Sequence, residues 1–369
     1  MADDASNPIE KLASLAARAG ARLPLGEKMR TRLNTMRSEL DRMADPDGAW
    51  GHFAARVEAR YATDASAFDD AEKRRLFKDM VRLVEFEPHA YCNRLCPFCP
   101  NIDGKRIKDH SPMDFAVYRR TIGDLAAIGY DGIVRFARYS EPLACKTICD
   151  YVSVARAGLP NAEIDIVSNG DYLDADLLDR LADAGLSILR ISIYPKGYDW
   201  NVAAARDQLD KLLKRAKTTA KPLVEASDRL YWRIAHPRVE VYAEAADLNR
   251  VGYDRGQTLE KLIDRSYVRK SPCTMVFTNL TIDFNGAVMP CCNLRSDVPE
   301  HKDFVVDVVS GNRSIFDVYA SKAMSEWRAS LARAGAKKSP CDTCKQKAID
   351  DPVALALLDR RLAARLADG

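Results

Sequence analysis

The run His89-Ala-Tyr-Cys92-Asn-Arg-Leu-Cys96-Pro-Phe98-Cys99-Pro100 carries three cysteines in a C-x3-C-x2-C spacing. Three thiolates this close can take three irons of a [4Fe–4S] cube and leave the fourth iron without a protein ligand. Iron–sulfur clusters are held by cysteine thiolates, and those that serve only electron transfer normally use four. An open iron is a place for a small molecule to chelate, so the spacing points to chemistry rather than scaffolding. The competing reading is half of a zinc site, but such sites pair one C-x2-C with a second or with two histidines.

The bulk of the chain is that of a globular protein. It has 369 residues, 47% hydrophobic and 30% charged, with a net charge of +3. That length suggests two or three domains. The near-neutral balance calls for neither a nucleic-acid nor a membrane partner. No apolar run approaches the roughly 18–20 residues of a membrane span, and the polar start Met1-Ala-Asp-Asp-Ala-Ser is no secretory signal. Ten cysteines in such a chain are expected to stay reduced as metal ligands in a cytoplasmic protein rather than form a secreted disulfide framework.

Residues 1–80 read as helices. Ile9, Leu12, Leu15 and Ala16 fall at helical spacing, as do Met29, Leu33, Met36 and Leu40, with Pro24, Gly26 and Asp45-Pro-Asp-Gly48 as breaks. The absence of strand-like alternation disfavours a winged-helix peptide-binding domain and leaves a helical cap or oligomerisation arm. From residue 80 short β-rich runs alternate with helices. Strands are expected at Val81–Phe86, Gly132–Phe136, Glu163–Val167, Ser187–Ile193 and Val239–Tyr242, and helices at Ala116–Ile128, Leu143–Ala157 and Ala175–Ala184. That alternation predicts an α/β fold with a parallel sheet or barrel. A charged helical insert is expected over about 203–235, and one amphipathic helix after 345.

The cysteine triplet, with the aromatic Phe98 just before its last member, resembles the signature of the radical S-adenosylmethionine (SAM) superfamily. The resemblance implies a partial (β/α)6 barrel in which Cys92, Cys96 and Cys99 hold a [4Fe–4S] cluster and the open iron chelates SAM. Ligands in such barrels gather at the carboxyl ends of the strands. Tyr139-Ser-Glu-Pro-Leu143 resembles the family's GGEP motif, with Tyr139 and Ser140 replacing the glycines. It implies a meeting of Ser140 and Glu141 with the SAM amino group. Ser168-Asn169-Gly170 resembles the family's (S/T)NG turn, and Ser192 a ribose contact.

A second cysteine set follows. Cys273, Gly286 and Cys291 form C-x12-G-x4-C, and Cys341-Asp-Thr-Cys344 comes later. Thr281–Met289 reads as a hairpin turned at Asn285-Gly286. Four cysteines in two pairs suit zinc as well. The set, with Ile315–Tyr319 and Gly311-Asn312 between its halves, resembles the Twitch module, a shortened relative of the SPASM domain. That implies a second [4Fe–4S] cluster on Cys273, Cys291, Cys341 and Cys344. The expected organisation is a helical extension over 1–80, the barrel over 81–256, the Twitch module over 257–345 and a C-terminal helix over 346–369. Cys145, Cys149 and Cys292 are left over; the first two, four apart, would share a helix face.

The resemblance implies a radical SAM dehydrogenase. It would oxidise a hydroxyl-bearing carbon of a sugar, cyclitol or similar small metabolite, with the second cluster accepting an electron. Arg250 or Arg255 would contact the substrate hydroxyl and help remove its proton. A redox-neutral epimerase, with a spare thiol returning hydrogen, and a ribosomal-peptide-modifying enzyme are the alternatives, so a peptide substrate stays open. The expected partner is a flavodoxin- or ferredoxin-type electron donor.

Overall fold

The structure is a computed structural model that describes residues 27–45, 48–248, 252–310 and 313–367. The expected helix around Ile9–Ala16 and the pair Gly311-Asn312 lie outside these residues. The chain divides into two compact units. One comprises 1–80, 264–278 and 319–369, and the other 81–263 and 279–318.

The first unit is helical in its described part. Its elements are α1 (Glu27–Ala44), α2 (Ala49–Arg56), α3 (Asp70–Met80), α8 (Met275–Thr278), α10 (Lys322–Leu331) and α11 (Pro352–Arg365). The last is the helix expected after residue 345. Asp351 starts it by accepting from Val353 N and Ala354 N. Aromatic rings fill the core: Phe53 lies 4.7 Å from Phe277, and Phe77 5.3 Å from Tyr319. The buried Arg328 is held in that core by bonds to Tyr61 O (2.9 Å) and Tyr319 O (2.7 Å). Its guanidinium lies 4.8 Å over the Tyr319 ring, so a charge that would be costly alone is fully paired.

The second unit is built on one ten-stranded sheet. In chain order it contains β1 (Leu83–Phe86), α4 (Phe115–Ala127), β2 (Ile133–Phe136), α5 (Ile148–Gly158), β3 (Glu163–Ser168), α6 (Ala175–Asp183), β4 (Ile188–Ser192) and α7 (Val202–Ala216). There follow β5 (Ala220–Glu225), β6 (Arg229–Ile234), β7 (Glu240–Ala246), β8 (Asn279–Ile282), β9 (Ala287–Met289) and β10 (Asp307–Val308). The spatial order is β10-β9-β8-β1-β2-β3-β4-β7-β6-β5. The six strands from β8 to β7 run parallel, as the alternation of strands and helices requires. Antiparallel pairs flank them on both sides. The short helix α9 (Ile315–Tyr319) follows β10.

Two expectations are overturned. The charged stretch 203–235 is not one helix. Helix α7 stops at Ala216, with Lys217 in the left-handed region at φ 50°, and the chain then forms the β5–β6 hairpin. Pro222 has no N–H for a helix interior and lies on β5, the edge strand, where a proline is tolerated. Along β6, Leu230, Trp232 and Ile234 are buried while Arg229 and Arg233 are exposed, which is a strand's period of two. Helix α5 likewise begins at Ile148 rather than Leu143. Cys145 therefore precedes it, and does not share a helical face with Cys149.

The two faces of the parallel strands differ. Val84, Phe86, Val134, Phe136, Ile164 and Ile166 are buried on the face that meets aromatics of α4 and α5. Phe86 lies 5.1 Å from Tyr118, and Tyr118 4.7 Å from Tyr151. The alternate positions are polar: Thr281, Glu85, Arg135 and Asp165 are neighbours across β8, β1, β2 and β3. Arg135 Nε lies 3.0 Å and Arg190 Nε 2.9 Å from Asp165 Oδ2. A charged row of this kind is a poor core and a good lining for a polar site.

The apolar face carries the stability of this unit. Phe136→Ala should cost about 3–5 kcal/mol in urea unfolding. Arg206→Ala, at a side chain 48% exposed, should cost about 0.5 kcal/mol or less. Equal small losses would contradict the assignment of the two faces.

Candidate active site

The loop after β1 carries the cysteine triplet, and buried polar groups hold its shape. Arg106 donates to Ala90 O at 2.8 Å and contacts Glu87 at 3.1 Å and Asp297 at 2.9 Å. Cys99 N bonds Cys96 O at 3.1 Å, which tightens the turn between the last two thiols. The His89 ring meets Glu141 O at 2.8 Å, Glu141 N donates to Tyr91 O at 2.9 Å, and Asn101 Nδ2 donates to Tyr139 O at 2.7 Å. These bonds lace the cysteine loop to the loop after β2.

Glu141 then joins that loop to the end of β3. Its Oε1 accepts from Ser168 Oγ (2.6 Å) and Leu143 N (3.0 Å), and its Oε2 from Asn169 N (2.7 Å). Burial pushes its pKa up to about 7, against the pull of these donors. Asn169 Nδ2 donates to Asn93 Oδ1 at 2.8 Å. Arg94 grips Asp171 through two bonds of 2.7 and 2.6 Å. Asn93 and Arg94 lie between Cys92 and Cys96, so the triplet is fixed from two strand ends. The replacement of two glycines in the Tyr139-Ser-Glu-Pro run is met locally. The left-handed residue of this loop is Arg138, at φ 82°, and its buried guanidinium is held by Asp283 and by Leu294 O at 2.7 Å.

Cys92, Cys96, Cys99, Phe98, Ser140 and Glu141 line one cavity of about 300 Å³, together with Ser168, Asn169, Ser192 and Arg255. Phe98 packs 5.0 Å from Tyr194 and 5.7 Å from Tyr198. Arg250 lies outside the described residues. The same cavity is lined by Glu85, Arg135, Arg138, Tyr139 and Cys292, of which the sequence marked Tyr139, as a glycine replacement, and Cys292, as a spare thiol. The signal for Glu85 and Arg135 was a charge at alternate positions of otherwise apolar strands; Arg138 carried none. Cys145 and Cys149 are not among the lining residues.

Burial pushes the thiol of Cys92 up to about 12 and that of Cys96 up to about 11, and raises that of Cys99. At neutral pH all three hold protons until a metal displaces them. Arg255 Nη1 bonds Asn293 Oδ1 at 3.2 Å, and its buried Nε has no hydrogen-bond partner. Its pKa is raised despite its burial, by Tyr139, Cys99 and Cys292 among others.

In the helical unit, Arg269 organises three further cysteines. It donates to Cys344 O (3.1 Å), Gln346 O (2.9 Å), Pro272 O (2.8 Å) and Ser271 O (3.2 Å). One guanidinium thus ties the segment of Cys273 to that of Cys341 and Cys344. All three sulfurs interact with its charge, while burial raises the Cys341 thiol. Cys291 follows β9 in the sheet unit. None of the ten cysteines is in a disulfide.

Residues 86–231 match the family model of the radical SAM superfamily, and residues 273–346 that of the SPASM iron–sulfur cluster-binding domain. The chain is similar to the S-adenosyl-L-methionine-dependent 2-deoxy-scyllo-inosamine dehydrogenase of Niallia circulans. The two are 27% identical over 270 residues, which cover 72% of this chain and 92% of the relative. Among solved structures, BtrN in complex with AdoMet and 2-DOIA aligns with a TM-score of 0.48 at 20% identity, over 68% of this chain and 87% of that one. SuiB of Streptococcus suis bound to S-adenosylmethionine aligns with a TM-score of 0.40 at 11% identity, over 91% and 80%. The sequence signatures and the two family models together identify a radical SAM domain over residues 86–231, followed by a SPASM-type iron–sulfur cluster-binding domain over residues 273–346.

Proposed function

We propose that the protein is a radical SAM dehydrogenase that oxidises a secondary hydroxyl of a cyclitol or similar polyhydroxylated metabolite to a ketone. The observation that carries this reading is the single cavity shared by three thiols, the Glu141 and Ser168 pair, and a floor of charged side chains. The activity of the Niallia circulans relative, printed in its name, supports the substrate class.

The residues fit the cofactors. Among the described residues no three His, Cys, Asp or Glu side chains converge closely enough to hold a single ion. A cluster that offers one iron to each thiolate needs a wider spacing. Cys92, Cys96 and Cys99 would hold the first [4Fe–4S] cluster. Cys273, Cys341 and Cys344, with Cys291 by sequence spacing, would hold the second. When bound, SAM and the first cluster supply the 5′-deoxyadenosyl radical that takes a hydrogen atom from the substrate.

The protein's own groups do the rest. Glu141 and Ser140 would meet the SAM amino group, Ser168, Asn169 and Ser192 would orient its carboxylate and ribose, and Phe98 would pack beside it. Arg255 stays charged, so it donates to the substrate oxygen and stabilises negative charge there; it cannot take a proton. Electrons come from a flavodoxin- or ferredoxin-type donor in the cytoplasm. Among the described residues no helix is long and apolar enough to cross a membrane.

One observation favours a second reading. Cys292 lines the cavity, and a thiol there could return a hydrogen atom to the opposite face of the substrate, as an epimerase requires. That product would keep the substrate's mass, whereas the dehydrogenase product is lighter by two hydrogens.

The two cysteine sets should separate by variant. Cys92→Ala should abolish reductive cleavage of SAM to 5′-deoxyadenosine in the anaerobically reconstituted protein; continued cleavage would refute the first ligand set. Cys341→Ala should still cleave SAM while losing net oxidation, read as ketone formed. Unaltered ketone yield in that variant would remove the second set from electron transfer.

A further inference from the structure

Oxidation of a hydroxyl-bearing carbon releases a hydrogen atom, a proton and an electron. The hydrogen atom goes to the 5′-deoxyadenosyl radical and the electron to the second cluster. The proton needs an acceptor, and a guanidinium that stays charged cannot serve. We propose that Glu85 on β1 is the catalytic base that takes the hydroxyl proton of the substrate. The proposal rests on the dehydrogenase reading above.

The cavity has two carboxylates among its described lining residues, Glu85 and Glu141. Glu141 already accepts three donors within 3.0 Å, and its remaining acceptor site is the one assigned above to the SAM amino group. Glu85 differs: it is 6% exposed, and its buried Oε2 has no hydrogen-bond partner. A buried carboxylate oxygen without a donor is costly unless a ligand supplies one, and a substrate hydroxyl is such a donor. Asp165 Oδ1 is likewise without a hydrogen-bond partner, but Asp165 does not line the cavity, and the nearby acids are each paired with an arginine. Asp165 pairs with Arg135 and Arg190, Asp283 with Arg138, and Glu87 with Arg106.

The charges around Glu85 suit the task. Arg135 is its register partner on β2, and Arg138 lies beyond the end of that strand. Thr281 is its partner on β8, with Asp283 just beyond that strand. Burial raises the Glu85 carboxyl, Arg138 and Arg135 pull it back, and Asp283 and Asp165 push it up again. Burial makes this carboxylate more basic than a free one, while the two cations favour its charged form; both suit a group that accepts a proton in the transition state and releases it afterwards.

The step balances. The substrate C–H hydrogen atom is taken up as 5′-deoxyadenosine, the O–H proton moves to Glu85, the remaining electron leaves to the second cluster, and C–O becomes C=O. The proton passes to solvent once the ketone has left.

The test measures ketone per 5′-deoxyadenosine released by the reconstituted holoenzyme, with 2-deoxy-scyllo-inosamine and scyllo-inositol as probes. The ratio is insensitive to the fraction of protein that folds. Glu85→Gln should lower it about 10²–10⁴-fold and remove the rise in ketone formation with pH expected of the wild type. Glu85→Asp, which restores a carboxylate, should recover part of both. A Glu85→Gln ratio within a few-fold of wild type, with an unchanged pH profile, would overturn the role of Glu85 alone. A wild type that oxidises neither probe would overturn the dehydrogenase reading on these substrates, and the base with it.

Discussion

Three strand ends meet at Glu141, and the site depends on that meeting. Its backbone binds the cysteine loop after β1, it stands in the loop after β2, and its carboxylate takes donors from the end of β3. The bonds are short and buried, where an unmade partner is expensive. Losing one would free the others, and with them the geometry of the three thiols. The same carboxylate faces the cavity, so the group that fastens the loops is also available to a bound amine.

The second constraint is the polarity of the sheet's other face. Most parallel strands are buried on both sides and read as continuous apolar runs. Here β1, β2 and β3 alternate apolar residues, packed against helices, with Glu85, Arg135 and Asp165. Keeping such charges out of water is tolerated because most are paired. Among the atoms left without a partner, Glu85 Oε2, Arg255 Nε and two nitrogens of Arg138 lie on residues that line the cavity, whereas Asp165 Oδ1 does not. A mixture of orphaned acceptor and orphaned donor suits hydroxyl groups, which both donate and accept.

Much of the sheet unit was legible in the sequence. The β-branched runs at residues 133–136 and 163–167 and the helices Phe115–Ala127 and Ala175–Asp183 stand where periodicity predicts, because local pattern and tertiary burial agree there. The Thr281–Met289 hairpin followed from Asn285-Gly286, and Gly286 takes the left-handed φ of 80° that such a turn needs. The 220–234 hairpin was hidden because Lys and Arg on both sides of it imitate a solvated helix. The polar cavity floor was hidden for a different reason. A lone charge in a strand looks like a surface residue until the pairing of strands shows which face is enclosed. Arg269 was missed as well: its role rests on carbonyls brought together from distant parts of the helical unit, which no local pattern records.

The central claim is that the substrate gives up its carbinol hydrogen and becomes a ketone. The direct measurement follows deuterium placed on that carbon of 2-deoxy-scyllo-inosamine, read by mass spectrometry in both products. The account predicts one deuterium in 5′-deoxyadenosine for each ketone formed. Unlabelled 5′-deoxyadenosine, or a product of the cyclitol that differs from it only by loss of the label to solvent hydrogen, would contradict it.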